Sequence, residues 1–258
     1  MRILHRAGLV FLVENAYFKT PITNALMLCN GKQLHCVRKS DGHYVFVDMQ
    51  PGEYDVEIIC TGYISAKMKV NLRENETQVI TVDMSYSIDN PTLYDSAYFD
   101  ITLNHLGKPV ADEEVTVKLN NELDFLQLVE PIAPESNNVK LNVEMLPGIL
   151  GQNYSYKIKK QNVDMFLNGY DTEQGCYTAN ETFENDINVG GKFYVFWRVK
   201  SDALGRVILP FMAQFITDNN IELEVICGAC KGKAQVDLSQ VAGNAIPVQP
   251  KLRKYTKK

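Results

Sequence analysis

The stretch from Asp41 to Tyr63, DGHYVFVDMQPGEYDVEIICTGY, constrains this chain more than any other part of it. Tyr44 and Phe46 alternate with His43, Val45 and Val47, the period-2 pattern of a strand with one face buried. Pro51 and Gly52 predict a turn, Pro by holding φ and Gly by supplying the positive φ that a type II turn needs. Tyr54, Val56 and Ile58 resume the alternation, and Gly62 ends it. The pattern predicts an all-β module.

The flanking sequence extends it. Strands are predicted over Gly8 to Asn15, Ile22 to Cys29, Gln33 to Arg38, Ile64 to Leu72 and Gln78 to Met84. The turn signals between them are Thr20–Pro21, Asn30–Gly31, Asp41–Gly42 and Glu74–Asn75. Together with the two strands of the central stretch this makes seven, at the spacing of a β-sandwich rather than an open sheet. Arg2 and Arg6 precede an apolar run, Ala7 to Val13, which Glu14 and Asn15 interrupt, so it reads as the first strand rather than a signal peptide.

The motifs D-G-x-Y-x-F (Asp41, Gly42, Tyr44, Phe46), P-G-x-Y-x-V (Pro51, Gly52, Tyr54, Val56) and a closing Gly62–Tyr63 resemble the carboxypeptidase regulatory-like modules. Those are transthyretin-like, prealbumin-type sandwiches related in build to the Cna-B repeats of bacterial surface proteins. The opening G-x-P-(I/V) of such modules matches Pro21 and Ile22, with Lys19 where Gly is usual. The resemblance covers about the first third of the chain and implies a fold, not an activity. Purine-pathway hydrolases among transthyretin relatives end in Tyr-Arg-Gly-Ser; this chain ends KLRKYTKK.

The polar segment Ser85 to Ser96 is the expected boundary, giving a first domain 1–92 and a second, 93–258. The chain then begins again. Ala97 to Leu103 alternates as a new first strand, Gly107, Lys108, Pro109 and Val110 restore the full opening turn, and Glu114 to Leu119 follows. Later segments echo the first domain: Gly191–Lys192 with Gly31–Lys32, Glu224 to Gly228 with Glu57 to Thr61, and Val236 to Leu238 with Val70 to Leu72. The fold class expected is therefore all-β, two tandem Ig- or transthyretin-like β-sandwiches. The second is interrupted by a β-rich insertion, residues 121–190, between its second and third strands; chance similarity of β-rich segments is the alternative. The insertion carries eleven Asp or Glu against four Lys. Strand-like pieces are Leu123 to Val129, Val139 to Met145 and Tyr154 to Lys160, with a long polar loop from Asn168 to Asn188. An insertion on a sandwich edge is where such a scaffold carries specificity.

A chain of 258 residues, 45% apolar and 22% charged, is a globular protein of one or two domains. The net charge of −5 argues against a general nucleic-acid binder, and no apolar run is long enough to span a membrane as a helix. Six cysteines form no disulfide framework. Cys227 and Cys230 make one C-x-x-C without a second pair or H-x3–5-H, so a structural role is expected rather than zinc or redox chemistry. The histidines at 5, 35, 43 and 105 are scattered, and no nucleophile elbow, phosphate loop or dinucleotide fingerprint occurs. Asp164, Asp171, Glu173, Glu181, Glu184 and Asp186 lack the spacing of a calcium loop and read as a solvated acidic face. No catalytic residue, metal or cofactor is expected. Tyr154, Tyr156, Tyr170, Asp171 and Tyr177 are the candidates for a binding surface on the insertion, with core packing of the tyrosines as the alternative. The basic tail 247–258, with five positive charges in its last eight residues, is expected to be extended, solvated or docked on an acidic neighbouring subunit.

Tandem sandwiches of this resemblance mostly work outside cells, yet the chain shows neither a clear export signal nor an LPxTG-like anchor. That contrast points to a non-enzymatic structural or interaction subunit, a decorating, baseplate or tail component of a phage or phage-derived contractile particle. Such a subunit is assembled in the cytoplasm and released with the virion. The alternative is an exported bacterial surface adhesin or carbohydrate-binding protein. The partners expected are other protein subunits, or a carbohydrate or cell-surface ligand, with no nucleic acid and no membrane.

Overall fold

The computed structural model describes residues 7–74, 76–93, 97–144, 149–210, 219–240 and 243–255. Arg2, His5, Arg6, Asn75, Met145, Lys257 and Lys258 from the expectations above lie outside the described residues. The chain is all-β and divides into two compact units, Met1–Asp95 and Ser96–Lys258. Among the described residues, no helix is long and apolar enough to cross a membrane.

The first unit contains β1 (Ala7–Asn15), β2 (Leu26–Cys29), β3 (Lys32–Gln33), β4 (Val37–Arg38), β5 (His43–Val47), β6 (Gly52–Ile59), β7 (Ala66–Leu72) and β8 (Gln78–Met84). They form two four-stranded sheets, β4-β5-β1-β8 and β3-β2-β6-β7. Alternate residues of both sheets meet in one core. Leu9, Phe11, Val13, Tyr44, Phe46, Val82 and Met84 come from the first sheet, and Met27, Cys29, Val56, Ile58 and Val70 from the second. Each large side chain so buried contributes about 1.5–3 kcal/mol. Phe11 and Phe46 pack edge to face, with centroids 6.1 Å apart. The Tyr44 hydroxyl donates to Ile22 O (3.0 Å) and accepts from Ala25 N (2.7 Å), pinning the approach to β2 from within the core.

Two expectations are corrected here. The single strand over Gln33 to Arg38 is two short ones in opposite sheets, because the chain crosses the sandwich between them. The turn expected at Pro51–Gly52 is not of type II geometry and does not join two paired strands either. β5 and β6 lie in different sheets, each presenting its alternate residues to the shared core, and β6 pairs with β7, from Gly52↔Leu72 to Ile58↔Ala66. Gly52 has φ 152°, far from the value near +80° of a type II turn, and the left-handed residue of this connection is Asp48, φ 54°. Asn30 and Gly31 do form the predicted two-residue hairpin, at φ 49° and 72°.

The second unit contains β9 (Tyr98–Thr102), β10 (Asn104–His105), β11 (Lys108–Pro109), β12 (Glu114–Leu119), β13 (Asn138–Val139), β14 (Gln152–Ile158) and β15 (Gln161–Asp171). It continues with β16 (Cys176–Ala179), β17 (Lys192–Lys200), β18 (Arg206–Pro210), β19 (Asn220–Cys227), β20 (Cys230–Asp237), β21 (Ala245–Val248) and β22 (Arg253–Lys254). β10 and β11 form a small ribbon; the rest make a three-stranded sheet, β18-β9-β21, and a nine-stranded one, β13-β16-β15-β14-β17-β12-β19-β20-β22.

The strand order of the first unit recurs. β9 runs antiparallel to β18 and parallel to β21, as β1 does to β5 and β8. The order β17-β12-β19-β20 matches β3-β2-β6-β7. The likeness extends to single atoms. Val13 N donates to Gly42 O (3.0 Å) and Val13 O accepts from Ile22 N (2.9 Å); Leu103 N donates to Gly205 O (2.8 Å) and Leu103 O accepts from Val110 N (3.0 Å). Lys19, where the opening turn lacks its glycine, has φ 53°, and Gly107 at the matching place has φ 77°. Lys19 thus adopts the left-handed conformation that Gly takes without strain.

The 72 residues from Asn120 to Gly191, between β12 and β17, add β13 to β16 beside β17 and so widen one sheet. Of the strand-like pieces expected there, Tyr154 to Lys160 corresponds to β14. Leu123 to Val129 and the described part of the other piece, Val139 to Glu144, are mostly coil joined by an isolated Leu128↔Leu141 bridge. Their leucines are spaced to seal the core rather than to alternate, and Leu123, Leu126, Leu128 and Leu141 are all buried. The expected polar loop contains the end of β15 and all of β16. The Asp171 carboxylate accepts from Glu173 N (2.8 Å) and Gln174 N (3.0 Å), tightening the turn between them.

The glycine at each crossing is a testable constraint. A Cβ on Gly42 (φ 83°) would stand 2.8 Å from Val13 O, whereas one on Gly31 (φ 72°) meets nothing within 4 Å. Gly31→Ala is expected to cost about 1–2 kcal/mol for the left-handed backbone alone. Gly42→Ala adds a clash and should cost about 2–5 kcal/mol in urea denaturation. Equal losses in the two variants would contradict the crossing geometry.

Candidate functional site

The five residues expected to form a binding surface on the insertion do not form one. Tyr154 and Tyr156 are fully buried at core-facing positions of β14, and Tyr177 of β16 is nearly so. The register sets Tyr154 opposite Met165 and Val195, and Tyr156 opposite Val163 and Phe193. Each hydroxyl holds down a length of coil. Tyr154 donates to Ile149 O (3.0 Å) and Tyr177 to Val143 O (3.3 Å). Tyr156 donates to Asn188 O (2.8 Å) and accepts from Gly191 N (2.8 Å). Burial pushes the Tyr154 and Tyr156 phenols above the ordinary tyrosine range. Tyr170 is half-buried with its ring 4.8 Å from that of Tyr177, and Asp171 is engaged in its own turn. These residues are supports for the sheet.

The opposite face of the nine-stranded sheet is the candidate site. Strand alternation turns Thr116 and Lys118 of β12, Asp164 of β15, Phe196 and Arg198 of β17 and Ile226 of β19 outward. With Gly228, Ala229, Lys254 and Tyr255 they line a groove of about 840 Å³ that runs across the strands. Arg198 Nη2 lies 3.3 Å from Asp164 Oδ2, and its guanidinium stands 5.2 Å from the centroid of the Phe196 ring. Lys118 and Lys254 make no ion pair among the described residues. Lys157, on the same face, sets its ammonium 4.1 Å from the Tyr194 ring centroid. Burial, and then the neighbouring Lys118 charge, push the Lys157 ammonium below its usual range.

One wall of the groove comes from the tail. β22 pairs with β20 through Cys230↔Lys254 and Lys231↔Arg253, and Tyr255 N donates to Ala229 O (2.9 Å). The basic tail therefore docks on its own unit, where it was expected to be solvated or to reach a neighbouring subunit. Gly232 makes room for it: a Cβ there would lie 2.9 Å from Lys251 O. Lys231 is engaged by Glu224 at 2.8 Å.

The remaining candidates have structural places. Cys227 and Cys230 face each other across the Gly228–Ala229 turn as free thiols. Burial, with a smaller effect of Cys230, pushes the Cys227 thiol up to about 11, so it is protonated and unreactive at neutral pH. His43 Nδ1 stands 2.9 Å from Asp41 Oδ1 within one turn, with the carboxyl held below its usual range by that contact. Among the described residues no group of three or more His, Cys, Asp and Glu side chains is placed to hold a metal ion.

The groove was not among the sequence-based candidates. Its signal lay in the outward partners of well-predicted strands, Lys118 and Arg198, and in the tail cations, which only the sheet brings together.

Two measurements test these assignments. Tyr156→Phe removes the bonds to Asn188 O and Gly191 N, both in partly solvated coil, and should cost about 0.5–1.5 kcal/mol of unfolding free energy without altering the fold. The raised Cys227, Tyr154 and Tyr156 all bind their protons more tightly when folded, so the native state holds more protons than the unfolded one in alkali. Stability is therefore full below the unfolded values and lost as pH rises toward the folded ones. The urea midpoint should fall between about pH 8 and about pH 10.5; a midpoint rising over that interval would contradict the burial of these groups.

No family model matches the chain, and no curated protein matches it. Among solved structures it is similar to the Bacillus anthracis TIE protein, at 10% identity and a TM-score of 0.28, over 96% of this chain and 50% of that one. The chain thus spans about half the length of that structure, and a likeness of this size carries no argument about function.

Proposed function

We propose that this chain is a non-enzymatic interaction subunit of a larger assembly, and that its setting is a decorating, baseplate or tail position of a phage or phage-derived contractile particle. The observation that carries the interaction reading is the division of the nine-stranded sheet into two unlike faces. The inner face is closed by tyrosines whose hydroxyls are bonded to coil. The outer one keeps an open groove whose lysines lack carboxylate partners among the described residues. Widening one sheet to nine strands enlarges a binding face at no cost in new exposed edges, because the added strands replace one edge with another. The particle setting rests on the expectation drawn from the sequence.

The second reading, an exported surface adhesin or carbohydrate-binding protein, is favoured by the groove itself, which offers charged and aromatic side chains on a rigid face. Fractionation separates the two. In a lysate of the native source on a sucrose gradient, the tagged full-length protein should travel with megadalton particles that contain tube and sheath subunits. Recovery only as free 29.2 kDa chain, or on the surface of intact cells by protease shaving, would reject the particle setting.

A further inference from the structure

The groove on the outer face has a charge that the rest of the chain does not. Its lining carries Lys118, Arg198 and Lys254 against one carboxylate, Asp164, which Arg198 already engages. The chain as a whole has a net charge of −5. We propose that this groove binds a linear anionic polysaccharide, whose carboxylate or sulfate groups are taken by Lys118, Arg198 and Lys254. The proposal rests on the reading of the chain as an interaction protein.

Spacing argues for a polymer. Arg198 and Lys118 stand on adjacent strands, but β12 and β22 are three strand steps apart, roughly 14 Å at about 4.8 Å per step. No single phosphate or carboxylate bridges that distance, whereas a chain with an acidic group on successive residues reaches both. Lys157 lies beside this row, on the strand next to β17.

Placement on a sheet face argues for sugar over peptide. The ladder groups of β12, β17 and β19 are used by neighbouring strands, so on the floor of the groove an incoming peptide finds no backbone to pair with. A sugar chain carries its own hydroxyls, for which Thr116 is a partner, and apolar ring faces that suit Tyr255 and Ile226. Single-stranded nucleic acid is also a polyanion, but it relies on successive open aromatic platforms. Here Phe196 is buried, with the Arg198 guanidinium over its ring, and Tyr255 is the one other lining aromatic, with the Lys231 ammonium 5.8 Å from its ring centroid, so no row of open platforms exists among the lining residues.

Binding of the full-length protein can be measured by titration calorimetry at low salt. The probes are polygalacturonate, dextran sulfate, uncharged dextran, poly-glutamate and oligo-dT. At least one of the two acidic glycans should bind, more weakly as salt rises, while dextran does not. Lys118→Glu with Lys254→Glu should weaken that binding about tenfold or more. Asp164→Asn should strengthen it, and Lys67→Glu with Lys69→Glu, in the first unit, should leave it unchanged. Circular dichroism confirms that each variant folds, and the Asp164 variant decides the matter if the double reversal does not fold. Binding of neither acidic glycan, equal binding of dextran, tighter binding of poly-glutamate or oligo-dT, or indifference to the groove variants would overturn the proposal. Because particle fractionation is read separately, travel with particles without glycan binding rejects the ligand alone. Glycan binding by a free chain rejects the particle setting alone.

Discussion

Where β1 ends, the backbone of Val13 is held from two sides, its N–H by Gly42 O and its carbonyl by Ile22 N. Those two bonds join the first strand, the turn before β5 and the segment leading to β2, three pieces that belong to different parts of the sandwich. They also determine which residues face inward. With Leu12 opposite His43, the register brings Phe11 opposite Tyr44 and Leu9 opposite Phe46, all into one core. A slip by one residue would turn these rings to solvent. The contact is close enough that only a glycine fits, and Leu103 with Gly205 repeats it in the second unit.

On this shared frame the second unit diverges at one connection. In the first unit, β2 and β3 are joined by Asn30 and Gly31. In the second, the corresponding connection between β12 and β17 holds four further strands. A wider sheet needs its new inner face closed, and the chain closes it with its own coil, buried leucines below and tyrosine hydroxyls as ties. This is why the tyrosines that look like a binding surface in the sequence are internal. Among the described residues the outer face has no such cover. Its polar and charged residues stand across seven strands from β15 to β22, and the tail adds a wall by pairing with β20.

Much of the first unit was legible from alternation. Tyr44, Phe46, Val56 and Ile58 are the residues that bury themselves, and Asn30–Gly31 is the hairpin it looks like. What could not be read was partnership. The alternation of β5 and β6 is the same whether they pair with each other or face each other across a core, since period 2 reports burial and not neighbours. The same limit hid the fate of Gln33 to Arg38. In the insertion, Cys176 and Tyr177 looked like loop because their short strand, β16, is made by pairing with β15 rather than by a run of its own.

The sequence by itself determined the all-β class, the frame of the first unit and the recurrence of its turns, because these follow from local periodicity and from backbone angles that few residues adopt. Tertiary structure alone decided which strands became neighbours and, in the insertion, which face met the core. It sent Tyr154, Tyr156 and Tyr177 inward and gathered Thr116, Lys118, Asp164, Arg198 and Lys254 outward, from positions far apart in the chain. A groove across strands is a product of pairing between distant segments, and no single stretch of residues carries it.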